Sequence, residues 1–392
     1  MRIAEITAYQ VRIPLKKEIK HASHARTSTD SLVIACRLDS GVVGWGEGLP
    51  REYVTGETVD QAWQLLTEID WRAHCGGPLN SLADAVLMVS ACPPRRPRDD
   101  ERGCFGNSLR CAIELSVLDA VCRELQAPFS AVTSTTPETF AIRQGVNSVQ
   151  YSAAFTAMRP WKQRALALLV RLAGFHQVKV KVGVAGVDDA ALLRRIRAWL
   201  GTGIDLRIDA NEAWSCENLL ARVADLRPLS ITSVEQPVPH ADVDGLARVR
   251  PQLGVPIMLD ESLCCEADAR RAIERGTCDL FNLRLSKCGG FVATLRLAAL
   301  AHRAGLGYQL GCQVGETGIL SAAGRHFATS VAGIRYLEGS YDRFLVRERL
   351  TSEDLTWGLG GRAPALNGPG LGVSIDSAAL QRVTVRQERF TL

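Results

Sequence analysis

The sequence predicts an α/β protein in which a parallel (β/α)-barrel carries a separate α+β region at its N-terminus. Three observations carry that prediction. From about residue 145, short apolar runs alternate with amphipathic helical segments, a texture that fits a closed parallel barrel better than an open doubly wound sheet. No glycine-rich dinucleotide fingerprint follows the first of these runs. The first 50 residues instead alternate with the two-residue period of antiparallel strands.

The elements follow in order. ITAYQVRI and SLVIACRL, then a Gly-containing turn and VVGWGEG, read as strands with a hairpin. Between about 58 and 125 the period becomes helical, and in SLRCAIELSVLDAVCREL apolar residues recur at three and four. CPPRRPRDDERG, residues 92–103, reads as an exposed loop insertion whose acids dilute its basic charge. The barrel strands are VQYSAAF, HQVKVKV, DLRIDA, ITSVEQP, PIMLDES, DLFNLRL, GYQLGCQ and IRYLEGS, separated by helices such as DDAALLRRIRAWL and CENLLARVADL. The tail GPGLGVSIDSAALQRVTV reads as strand-like. The predicted organisation is an N-terminal region over 1–144, a barrel over 145–350, and a segment over 351–392 that returns to the first region.

Composition narrows the function classes. The 392 residues are 46% hydrophobic and 22% charged, which suits a soluble globular chain and excludes a disordered, collagenous or coiled-coil one. Forty-six basic against 42 acidic side chains leave a net charge of +4, too small a field to hold a nucleic acid. The 12 cysteines include no Cys-x-x-Cys pair, and the adjacent Cys264 and Cys265 lack zinc-chelating spacing, so they read as reduced thiols packed as small hydrophobes. Arg2 and Glu5 break the N-terminal run, so it has no signal-peptide core. No apolar run approaches the ~20 residues that span a bilayer. The expectation is a cytoplasmic protein with a small-molecule partner, no nucleic acid and no membrane.

The chemistry is expected at the C-terminal ends of the barrel strands. Those ends carry Lys179 and Lys181, then Asp209, Glu235, Asp260 and Arg284, at gaps from Lys181 of 28, 26, 25 and 24 residues. Each gap is close to one strand–helix unit, so three carboxylates from neighbouring strands converge. Hard oxygen ligands so placed suit Mg²⁺, unless each acid is merely a helix cap or surface ion pair. Lys179 and Lys181, two apart on one strand, share a face, either the interior or the helix layer. Mutual repulsion and partial burial would favour a neutral lysine there, a workable general base.

These strings resemble a known family. VKVKVG, LRIDANEAW, SVEQP, IMLDES and NLRLSKCGG are similar, in order and spacing, to the motifs of the enolase superfamily, in its muconate lactonizing enzyme subgroup (the mandelate racemase/muconate lactonizing enzyme family). GWGEG and PGLGV extend the resemblance to the capping region. It implies a modified (β/α)-barrel under an α+β capping domain, with Asp209, Glu235 and Asp260 holding Mg²⁺, or Mn²⁺ in its place. It further implies that Lys181 is the acid/base that moves a proton alpha to a carboxylate, that Lys179 lowers its pKa, and that the metal stabilises an enediolate. Relatives commonly assemble, so a homo-oligomer is expected.

The sequence departs from the pattern on the sixth strand. The subgroup's second catalytic lysine is replaced by Arg284, and Lys287 matches a later, non-catalytic lysine; strand parity sets Lys287 apart from Asn282, Arg284 and Ser286. Arginine stays protonated, so Arg284 would stabilise negative charge or grip a carboxylate. That favours one-base chemistry: a muconate cycloisomerase-like isomerase, or a syn-eliminating dehydratase of o-succinylbenzoate synthase type. A racemase or epimerase of N-acyl amino acids or dipeptides requires a second base, which Lys287 could supply only by swinging in. A non-catalytic ligand-binding barrel is the remaining alternative. His302 and His326 fall in helical stretches and read as structural. Dipeptide epimerases carry Asp-x-Asp on the eighth strand to hold an ammonium group, where this chain has Glu338-Gly339-Ser340. Glu316, in GCQVGETG after the seventh strand, is expected at the substrate, or else as a helix N-terminal acid. Residues 19–29 and 51–58 correspond to capping loops, the first offering His24 and Arg26 to the distal end of a small carboxylate substrate.

Overall fold

The computed structural model describes the chain apart from residues 21–24, 92–99, 101 and 157 and the side chains of residues 19, 20 and 25. His24 and most of the 92–103 insertion therefore lie outside the described residues. The chain opens with β1 (Ile3–Lys20) and β2 (Ala25–Leu38), paired antiparallel from Ile3↔Leu38 to Lys20↔Ala25, and β3 (Val43–Gly48) pairs with β2. Residues 25–29 are thus strand rather than loop, because the ladder resumes after a register shift between Pro14 and Ile19 and pairs Arg26 with Ile19. Behind this sheet lie α1 (Val59–Thr67), α2 (Leu82–Ala91) and α3 (Asn107–Glu124). The glycines of GWGEG have a packing cause: a Cβ on Gly46 would stand 2.0 Å from the Ala112 carbonyl oxygen of α3. Only glycine lets strand and helix backbones approach this closely.

After β4 (Ser148–Gln150) come the strands of the parallel sheet: β5 (Ala153–Phe155), β6 (Gln177–Lys181), β7 (Asp205–Asp209), β8 (Ile231–Glu235), β9 (Ile257–Leu259), β10 (Leu280–Leu283), β11 (Gly307–Leu310) and β12 (Ile334–Leu337). Each is hydrogen-bonded to the next, and the Ser152 N–H donates to the Leu337 carbonyl at 2.8 Å, drawing the two edges together. Successive strands are joined by α4 (Pro160–Leu172), α5 (Asp189–Leu200), α6 (Cys216–Leu226), α7 (Leu246–Leu253), α8 (Glu266–Arg275), α9 (Phe291–Arg303) and α10 (Gly318–Ser330). Local chemistry sets these helix ends. The Asp188 carboxylate caps α5 by accepting the Ala191 N–H, and Gly201 at φ 78° ends it. Val178, Val180, Leu206, Ile208 and Val234 are buried, as strands covered on both faces require.

Two expectations change. VQYSAAF is not one strand, because β4 leaves the barrel to pair antiparallel with β13 (Arg362–Pro364). Within the strand-like tail, Ser377–Val383 is a helix, α11, begun by the Asp376 side chain accepting the Ala379 N–H. The strand proper is β14 (Thr384–Thr391), antiparallel to β1, so the chain's end completes the N-terminal sheet in the order β14-β1-β2-β3. Among the described residues no helix is long and apolar enough to cross a membrane.

Candidate active site

The predicted residues meet at the C-terminal edge of the barrel. Lys181, Asp209 and Glu235 end β6, β7 and β8, and the sheet register sets Lys181 beside Asp209 and Asp209 beside Glu235. Asp260 follows β9 and Arg284 follows β10. Lys179, Asp209, Glu235, Asp260 and Arg284 are all buried. Charges removed from water this far persist only when paired, so their partners define the site.

The surroundings of Lys179 hold it as a cation. Its Nζ lies 2.9 Å from the Glu338 carboxylate and 3.3 Å from both Glu235 and Asp209. Burial pulls its pKa down, but Glu235, Glu338 and Asp209 together push it well above the ordinary lysine value. Lys179 is therefore a fixed positive charge two residues from Lys181. Lys181 is only partly buried, and its Nζ donates to Asn211 Oδ1 at 2.8 Å. Asn211 holds that position from a left-handed backbone, φ 42°, tolerable for asparagine, while its N–H donates to Asp209 Oδ1.

The three acids do not close on a common point, and among the described residues no three His, Cys, Asp or Glu side chains form a metal-sized cluster. Internal cations draw them apart instead. Lys179 bridges Asp209 and Glu235, while Arg284 and Lys287 each bind one oxygen of Asp260. The donor set nonetheless fits a hard divalent cation. It consists of buried carboxylates on adjacent strands, and beside them Glu261 Oε2 and Asn282 Oδ1 are buried without a partner among the described residues.

Lys287 is anchored at three points. Fully buried, its Nζ donates to Asp260 O at 2.7 Å, Asp260 Oδ1 at 2.8 Å and Asn282 O at 2.8 Å, tying the ends of β9 and β10 together. Glu316 does not cap α10, since Thr317 does so through the Ile319 N–H. Glu316 instead closes its own turn by accepting the Gln313 N–H at 2.6 Å, and burial pushes its carboxyl up to about 8. Arg26 stacks over the Tyr53 ring at 5.2 Å. Nearby Arg51 is buried and bonded to Thr29 Oγ1 and the Val314 carbonyl, joining the cap to the β11–α10 turn. His302 is exposed on α9 and His326 is buried in α10 against Leu371, so neither reaches a strand end.

Sequence reasoning missed Asn211, Glu261 and Arg207. Asn211 and Glu261 flank the chosen acids within DANEAW and LDES. Arg207, two residues before Asp209, shares its strand face and was readable by parity.

A family profile described as Enolase C-terminal domain-like matches residues 162–379. The chain is 29% identical to the hydrophobic dipeptide epimerase of Enterococcus faecalis over 85% of this chain and 89% of that protein. It is 27% identical to the N-succinyl-L-Arg/Lys racemase of Bacillus cereus over 99% of both. The crystal structure of the Cytophaga hutchinsonii dipeptide epimerase, complexed with Mg and the dipeptide D-Ala-L-Val, superposes with a TM-score of 0.83 at 25% identity, covering 99% of this chain and 100% of that one. With strands, cap and profile in agreement, the chain belongs to the enolase superfamily, in its mandelate racemase/muconate lactonizing enzyme family.

Proposed function

We propose that this chain is a Mg²⁺-dependent isomerase of muconate cycloisomerase type, in which Lys181 alone takes the proton alpha to the carboxylate of a small acid as a lactone C–O bond breaks, or gives it back as that bond forms. One observation carries the reading. Lys179 and Lys287 are each held by carboxylates, whereas Lys181, at the partly open end of the site, is held by an amide oxygen. An amide oxygen orients Nζ without tying it into an ion pair. Asp209, Glu235 and Asp260 would hold Mg²⁺, or Mn²⁺ in its place, and once bound the ion offsets negative charge on the substrate carboxylate. Arg284, charged at every working pH, adds to that effect but cannot exchange a proton. The region over 1–144 with 351–392 would supply the cap, with Arg26 and His24 at the distal end of the substrate, and 145–350 the chemistry, with Glu316 hydrogen-bonded to the substrate.

A second reading, epimerase or racemase, is favoured by the relatives, which carry those activities. It needs a base opposite Lys181, and the triple anchoring of Lys287 opposes it. Incubation in D₂O with Mg²⁺ and a panel of carboxylates tests both. The expected result is a deuterium label at the alpha carbon with retained configuration, lost in Lys181→Ala. Label with inversion favours the epimerase, and no label with any acid overturns the proton-transfer reading.

A further inference from the structure

Away from the strand-end charges, two thiols meet across the junction of cap and barrel. Cys104 stands just before α3, and Cys264 follows β9, between that strand and α8. With Val54 they form a small buried cluster apart from the main core, and Tyr53 and Cys265 pack against it. The Cys104 S–H donates to the Cys264 sulfur. Both face the helical turn Glu52–Thr55, with Cys264 Sγ 3.6 Å from the Val54 carbonyl oxygen and Cys104 Sγ 3.9 Å from that of Thr55. The chain on either side of the pair is already tied. Ahead of Cys104, Arg102 Nη2 donates to the Glu261 carbonyl at 2.8 Å and to Asp268 Oδ2 at 3.0 Å. Beyond it, Asn107 Nδ2 donates to the Cys264 carbonyl at 2.8 Å and to the Lys287 carbonyl at 2.8 Å. The Cys264 N–H is itself fixed on Asp268. Held at both flanks, the two thiols are kept in contact, the arrangement from which a disulfide closes.

We propose that Cys104 and Cys264 are an oxidation site, where hydrogen peroxide joins them in a reversible disulfide that fastens the cap to the barrel. The inference is independent of the proton-transfer reading. Cys264 is the attacking sulfur. Burial pushes its thiol up, but the Cys104 hydrogen bond and the charges of Arg102 and Lys287 outweigh this and hold it below the ordinary thiol value. Cys104, as donor of that bond, is pushed the other way and suits the resolving partner. A cavity of about 440 Å³ lined by Arg102, Gly103, Asn107 and Cys265 opens alongside and admits a molecule as small as peroxide. The Cys264 thiolate attacks one peroxide oxygen and the O–O bond breaks. A sulfenic acid remains, and the departing hydroxide takes up the Cys264 proton as water. The Cys104 sulfur then displaces the sulfenic hydroxyl, so that S–S forms, S–O breaks and the Cys104 proton leaves in a second water. Two thiols give two electrons to one peroxide. The bond joins residues distant in the chain, the case in which a cross-link restricts the unfolded state most.

The test treats the reduced full chain with equimolar hydrogen peroxide, then alkylates, digests and maps it by mass spectrometry. The expected product is a peptide pair joined through Cys104 and Cys264 and two hydrogens lighter, formed before the less buried Cys216, Cys265 and Cys312 are oxidised. Its unfolding midpoint should rise by about 5 °C or more and return on reduction with dithiothreitol. Oxidation of the three exposed thiols while Cys104 and Cys264 remain free to alkylate overturns the site. A cross-link that leaves the midpoint unmoved overturns the fastening of cap to barrel. Cys104→Ser removes the resolving thiol, so peroxide should leave a sulfenic acid on Cys264 that dimedone traps, and a folded variant without that label overturns the assignment. Cys264→Ser serves where the first variant does not fold; it should lose both the cross-link and the midpoint shift, and keeping either counts against the pair. Cys265→Ser should retain both, and their loss would move the site to the neighbouring thiol.

Discussion

At the residue scale the decisive contrast is between cations held by charge and one held by an amide. Lys179 and Lys287 are locked by carboxylates, and Lys181 rests on Asn211. If Arg284 sets the reaction type by denying a second base, Arg284→Lys should create inversion that the native enzyme lacks. Chiral chromatography of the product after incubation with an exchanging acid is the measurement, with a gain of about tenfold or more over native expected. Lys287→Met should act differently. Removing one partner of a buried ion pair costs about 3–5 kcal/mol. The variant should therefore show a clear drop in thermal midpoint, with Asp260 Oδ1 left without its cation and Arg284 the one remaining partner of that carboxylate. A Lys287 that were merely spare would leave the midpoint unmoved.

At the element scale, buried glutamates bind helix N-termini across the junction between cap and barrel. Glu47 on β3 accepts the Thr317 and Leu320 N–H groups at the start of α10, and Glu114 on α3 accepts the Val292 N–H at the start of α9. Glu57 accepts the Ser108 hydroxyl and N–H at the start of α3 itself. Helix N-termini favour a carboxylate, but burial outweighs them and pushes all three carboxyls up to about 7. The folded state therefore binds these protons more tightly than the unfolded chain does. Their contribution to stability is full below the unfolded value of about 4.5, declines as pH rises toward 7, and is flat above it. Thermal unfolding between pH 5 and 7.5 should show this decline, and Glu114→Gln, which keeps an acceptor but cannot ionise, should flatten it. On the same interface Gly46→Ala pushes a methyl into the Ala112 carbonyl and should cost about 1–3 kcal/mol, read as a lowered unfolding midpoint.

At the scale of the whole molecule, the chain's two ends meet in one sheet, and the cap reaches the barrel through Arg51, Glu47 and Glu114. A ligand at the strand ends is thus read by the stability of the entire fold. A cation bound only by the native state stabilises it as its concentration exceeds its dissociation constant. Millimolar Mg²⁺ should raise the unfolding midpoint of chelator-treated protein by a few degrees, and Asp209→Ala should abolish the response. Equal stabilisation of the variant would place any bound cation elsewhere.

Much of this was legible in sequence because its causes are local. The strand–helix alternation, the acids at near-constant spacing and the arginine in place of lysine follow from hydrophobic period and position, which chain order preserves. Where the code was ambiguous, local reading erred: SAALQRV became a helix through the Asp376 cap, and residues 25–29 became strand through the hairpin ladder. Only the tertiary structure decided which cation serves which acid. Lys179 is charged because Glu338 arrives from a strand distant in the chain, and the other oxygen of Glu338 is held by Arg207 from β7. Such pairings depend on distance and burial, and neither is a property of the chain until the sheet has curled.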